Sequence, residues 1–106
     1  SNEDLNLFVE EITQNVIDNE DFCLEYAYYV TEDKTSVTLY EKYIDSKSAV
    51  KHGQNFMGSP FFERFFNLFT LEKFIVTGPA SEEFKNFTKE NGFVIEYRNS
   101  IDGFLR

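Results

Sequence analysis

Two alternating runs, residues 22–30 (FCLEYAYYV) and 36–44 (SVTLYEKYI), flank the polar stretch Thr31-Glu32-Asp33-Lys34. Alternation of aromatic and β-branched residues around a short polar connection predicts an antiparallel hairpin. Phe22, Leu24, Tyr26 and Tyr28 fall on one side of the first run; Cys23, Ala27 and Tyr29, with Glu25, fall on the other. Both faces therefore carry apolar or aromatic groups and both need cover. Helices are expected over one face, and a second subunit is the simplest cover for the other.

The helices are legible from their spacing. Within residues 4–17, Leu5, Phe8, Val9, Ile12, Val16 and Ile17 recur three and four apart, with Glu10, Glu11 and Gln14 opposite. That pattern predicts an amphipathic helix, capped at Asn2 or Asp4 and ended by Asp18-Asn19. Residues 46–54 predict a short helix capped by Ser46, followed by a loop framed by Gly53 and Gly58. Ser59-Pro60 opens a third helix, FFERFFNLF, whose phenylalanines and leucine predict that it is largely buried. Residues 73–77 and 93–98 read as strands, separated by a polar helix over 81–90 whose core contacts are Phe84 and Phe87.

The length of 106 residues fits a single domain, 1–106, with one core. Ten Lys and Arg against 19 Asp and Glu give a net charge of −9. Such a surface repels phosphate backbones and anionic lipid, so neither nucleic acid nor a membrane is an expected partner. No apolar run approaches the roughly 18 residues of a membrane span. The lone Cys23 cannot form an internal disulfide and fits a reducing compartment, so a cytoplasmic location is expected. The 13 Phe and 6 Tyr exceed what one small core conceals. Some of these rings should line a cavity or a homodimer interface.

Chemistry concentrates in residues 37–52, VTLYEKYIDSKSAVKH. Glu41 shares its strand side with Leu39 and Tyr43, which places a carboxylate among apolar groups as a credible general acid or base. His52, the one histidine, titrates near neutral pH and completes a candidate catalytic pair with Glu41. The alternative is a buried carboxylate that accepts hydrogen bonds from backbone or from His52 and pins strand to helix. No second histidine or cysteine stands ready to build a zinc site, so no metal is expected. Asn55, Phe56 and the phenylalanines of 61–66, Phe65 among them, are candidates to wall a pocket for a flat aromatic molecule. Their alternative is ordinary core. Tyr26, Tyr28, Tyr40 and Tyr43 offer phenol groups to a quinone-like oxygen.

The order of elements, with the unit YEKYIDSKSAVKH and the helix SPFFERFF, resembles the antibiotic biosynthesis monooxygenase family. The resemblance implies an α+β, ferredoxin-like fold: an antiparallel sheet with helices on one face, paired across a homodimer into a dimeric α/β barrel. It also implies monooxygenase chemistry without a cofactor, in which a small aromatic or quinol-like substrate itself supplies electrons to oxygen. Glu41 and His52 would then move the proton, and Tyr26, Tyr28, Asn55, Phe56 and Phe65 would bind substrate. The chain departs from the family pattern in starting on a helix where members have a strand, and in its longer segment 78–106. The Trp contact of the family has no counterpart, since the chain contains no Trp. That departure favours a second expectation, a non-catalytic ligand-binding or assembly domain on the same fold.

Overall fold

A computed structural model describes residues 2–106. The chain forms α1 (Asn2–Asn19), β1 (Cys23–Val30), β2 (Val37–Tyr43), α2 (Ser46–Met57), α3 (Phe61–Leu68), β3 (Ile75–Thr77), α4 (Glu82–Glu90) and β4 (Glu96–Arg98). This is an α+β arrangement of helices with two small sheets, an antiparallel pair β1–β2 and a parallel pair β3–β4, and the chain does not close into a barrel. No helix among the described residues is long and apolar enough to cross a membrane.

Helix α1 forms where its apolar stripe demands. Phe8, Ile12 and Val16 are buried, and the expected core residue Ile17 instead stays 66% exposed because it lies off that four-residue stride. Asp4 lies inside the helix rather than at its cap, and the side chain of Asn2 lies outside the described residues. The edge of Phe8 meets the rings of Phe61, Phe65 and Phe69, which joins α1 to α3. The expected burial of α3 is corrected here: none of its residues is fully buried. One helix face suffices for the contact with Phe8, and Phe66 turns outward.

The hairpin pairs Tyr26 with Glu41, Tyr28 with Leu39 and Val30 with Val37. Its connection is held by Asp33, whose carboxylate accepts from the hydroxyls of Thr31 and Thr35 and from the Thr35 amide. These bonds hold the Asp33 carboxyl below its usual range. Lys34 takes the left-handed conformation, φ 62°, that lets the chain reverse. A bulge between Cys23 and Glu25 corrects the expected alternation. Cys23 lies opposite Tyr43 on the helix-facing side, and Leu24 is left exposed.

Helix α2 also departs from expectation at both ends. Its cap is Asp45, which accepts from the Ser48 amide at 2.8 Å, whereas Ser46 is the first helical residue. Ser46 Oγ instead accepts from the Ser81 amide and donates to the Pro79 carbonyl, fastening α2 to the segment before α4. The helix continues past residue 54 to Met57, where a loop was expected, and stops at Gly58. Gly53 serves packing: a Cβ there would stand 2.6 Å from Cε2 of Phe87 on α4. Ser81 caps α4 by accepting from the Phe84 amide, and Phe84 joins the core as expected. The strands expected at 73–77 and 93–98 shrink to three residues each, β3 and β4.

Candidate functional site

The four-residue stride that buries Phe8, Ile12 and Val16 continues one step past the last residue of α1. The next position is Glu20, whose amide bonds to the Val16 carbonyl at 2.9 Å. Its carboxylate is thereby turned inward, and the residue is 4% exposed. A buried carboxylate requires partners, and α2 provides them. His52 Nδ1 lies 2.5 Å from Glu20 Oε1, and Asn55 Nδ2 donates to Glu20 Oε2 at 3.0 Å. His52 and Asn55 are three apart and so share a helix face.

The second imidazole nitrogen reaches the sheet. His52 Nε2 lies 3.1 Å from Glu41 Oε1, and the Tyr43 hydroxyl donates to the same oxygen at 2.5 Å. Glu41 projects toward α2 because strand alternation places it with Leu39 and Tyr43 on the inner face. The result is an unbroken line, Asn55–Glu20–His52–Glu41–Tyr43, which ties the end of α1, the body of α2 and β2 together. Among the described residues Glu41 Oε2 has no bonded partner, and this side chain retains 26% exposure.

Electrostatics follow from that line. Burial pulls the His52 imidazole toward its neutral form, but hydrogen bonds and charge from Glu41 and Glu20 outweigh it, so its pKa is raised above 6.5. With a carboxylate at each ring nitrogen, both nitrogens are served as donors only in the imidazolium form. Burial also pushes the Tyr43, Tyr26 and Tyr28 phenols well above their usual range, with Glu41 adding to each shift, so all three stay protonated donors at neutral pH. The Cys23 thiol is raised as well, first by burial and then by Glu41, which leaves it an inert thiol.

Most of the expected site residues converge here. Tyr26 and Tyr28 share a hydrogen bond of 2.8 Å between their hydroxyls, and the Tyr26 ring lies 6.1 Å from the imidazole. Phe56 stacks parallel to His52, 3° between planes at 6.2 Å. Phe65 sits one layer out, against Phe56, Phe66 and Phe69. Asn55 reaches Glu20. Sequence reading missed Glu20 altogether. Its one signal was position, as the fourth member of the stride 8, 12, 16, 20.

The space beside the line is small. A void of about 10 Å3 bounded by Glu20, His52, Asn55 and Phe56 has the room of a single water. A larger cleft of about 240 Å3 lies elsewhere, between α1 and the hairpin, and of the expected site residues only Tyr28 borders it. Among the described residues, no group of three His, Cys, Asp or Glu side chains is arranged to hold a metal ion. No family model, no curated protein and no solved structure matches this chain.

Proposed function

We propose that this protein is a ferredoxin-like, dimeric α/β-barrel domain of the antibiotic biosynthesis monooxygenase type, which uses Glu41 as proton acceptor toward a small hydroxyaromatic substrate. The observation that carries the reading is the asymmetry of Glu41. Oε1 is fixed by Tyr43 and His52, while Oε2 has no bond among the described residues and its side chain still reaches solvent. A carboxylate oriented through one oxygen and free at the other is arranged to take a proton. The substrate anion so formed would pass electrons to dioxygen. Conversion of an activated methylene to a carbonyl with release of water balances without another reductant. His52 would be a positioning residue, holding Glu41 in place, and Tyr26 and Tyr28 would donate to the substrate oxygen.

Oxygen uptake with a panel of hydroxyaromatics that carry an activated methylene tests this reading. The expected result is uptake by the wild-type protein, its loss in Glu41→Gln, and a displaced pH profile of kcat in His52→Gln. Uptake that persists unchanged in Glu41→Gln would sink the assignment.

A second reading, a non-catalytic assembly domain, is favoured by the outward hairpin face. Leu24, Tyr29, Tyr40 and Ile44 are all at least half exposed there, and the antiparallel sheet has only two strands. Exposed apolar clusters of this kind mark association surfaces. Sheet-to-sheet pairing of two copies would cover this one, and Tyr40→Glu is expected to abolish the resulting dimer in sedimentation.

A further inference from the structure

The cleft between α1 and the hairpin has a shape that identifies its occupant. Tyr28, Tyr29 and Val30, three consecutive residues of β1, all border it. Side chains alternate across a strand, so three in a row border one cleft only where it reaches the strand's main chain or wraps its edge. The edge of β1 away from β2 is open, because among the described residues β1 pairs with β2 alone. Leu5 and Val9 of α1 and Val37 of β2 supply an apolar wall, and Asn6 and Glu10 supply the polar side. The volume of about 240 Å3 is below the roughly 300–1,000 Å3 of small-molecule sites. It suits one or two side chains of an extended peptide that adds to the strand edge through its main chain.

Residues 101–106, IDGFLR, match that groove. Ile101, Phe104 and Leu105 are 101%, 82% and 78% exposed, so little among the described residues covers this apolar segment. In an extended segment Phe104 and Arg106 project to the same side. Arg106 lies over the Phe104 ring and pairs with no carboxylate among the described residues. Glu10 is likewise without an ion-pair partner there. One chain thus carries both an unfilled apolar edge groove with an unpaired acid and an unpacked apolar segment with an unpaired base.

We infer that two copies exchange residues 101–106: the segment of each lies along the β1 edge of the other, with Phe104 in the cleft and Arg106 paired to Glu10. The exchange is reciprocal, so it closes as a two-fold dimer rather than a filament. For a chain of net charge −9, a local pair of opposite sign also gives the repelling copies a defined register. Tyr29 makes this groove continuous with the outward hairpin face, but the exchange does not depend on pairing of that face.

Sedimentation of the full chain and its charge variants tests the exchange. The expected result is a dimer at micromolar concentration, with Glu10→Lys and Arg106→Glu each weakening it about tenfold or more. The two variants mixed in equal amounts recover both pairs in the mixed dimer and regain the wild-type affinity, and the double variant Glu10→Lys/Arg106→Glu does the same with its charges reversed. Phe104→Ser, in a segment that supports no core, weakens the dimer without lowering thermal stability at dilution. A monomer up to about 100 µM overturns the inference. So does a dimer abolished by Tyr40→Glu yet indifferent to Glu10, Phe104 and Arg106, a result that would leave the sheet-face reading standing.

Discussion

Glu20 and His52, 32 positions apart in the chain, meet at 2.5 Å between Oε1 and Nδ1. The contact fastens the end of α1 to the middle of α2. The Nε2–Glu41 contact continues it to β2, so one imidazolium links three elements across the core. A positive charge between two carboxylates leaves a net charge of −1 in this line. Asn55 and Tyr43 supply the donors that make that surplus tolerable.

The first prediction is a pH dependence of stability. The folded-state pKa of His52 is raised above its ordinary 6.5, so the stabilisation from its protonated form is complete below about 6.5 and is lost as pH rises through the folded value. Because His52 is the only histidine, its ring proton resonance is unique. An NMR titration is expected to give a midpoint above 6.5, and urea unfolding is expected to show the advantage of wild type over His52→Gln shrinking as pH rises through that midpoint. A pH-independent difference across that range would contradict the double contact.

Removing Glu20 separates pairing from packing. Glu20→Ala leaves the imidazolium one partner short in a buried setting and is expected to cost about 3–5 kcal/mol. Glu20→Gln keeps an oxygen for Nδ1–H while losing the acceptor for Asn55, and should cost less. Both substitutions should lower the His52 midpoint toward its ordinary value. Denaturation together with the same ring resonance checks this, and a loss below about 1 kcal/mol in Glu20→Ala would show the pair to be inconsequential.

Half of this line was legible in the sequence. Strand alternation aimed Glu41 inward, and the following helix placed His52 within reach of it. Glu20 was obscured because Asp18, Asn19, Glu20 and Asp21 look interchangeable as residue types, and only the helical stride sorts them. The bulge at Leu24 was hidden for a related reason: alternation reads continuously through an inserted residue, and the register appears only when β1 meets β2. The extent of α2 was misread because Gly53 looked like one frame of a loop over 55–57, whereas its lack of a Cβ answers a ring on another element. Local pattern located the hairpin and the stripes; contacts between elements decided caps, register and the second carboxylate.

The start of α2 offers a test of two neighbouring polar residues with different duties. Asp45→Ala removes the acceptor for the Ser48 amide and is expected to lower stability measurably, the usual effect of losing a cap. The cost should fade at acid pH as the carboxyl protonates, beginning below the ordinary 3.8 because the cap bond holds its pKa down. Ser46→Ala keeps the cap but cuts the tie to Pro79 and Ser81, so hydrogen exchange should accelerate in the segment before α4 rather than in α2. Acceleration confined to α2 would reverse the two assignments.

Gly53 sets how closely α2 approaches α4. In an exposed helix interior, replacing glycine with alanine stabilises by about 1 kcal/mol. Here the added methyl would stand 2.6 Å from Cε2 and 3.0 Å from Cζ of Phe87, so the ring must swing away or the helices must part. Overpacking of this kind costs about 1–3 kcal/mol, which reverses the sign and makes Gly53→Ala a net destabiliser. Phe87→Leu removes the obstructing ring edge, and in that background the propensity gain should re-emerge. The cycle formed by wild type, both single variants and the double variant is therefore expected to show a coupling of at least about 1 kcal/mol. Additive effects would mean that the ring yields freely, and the closeness of the two helices would then need another cause.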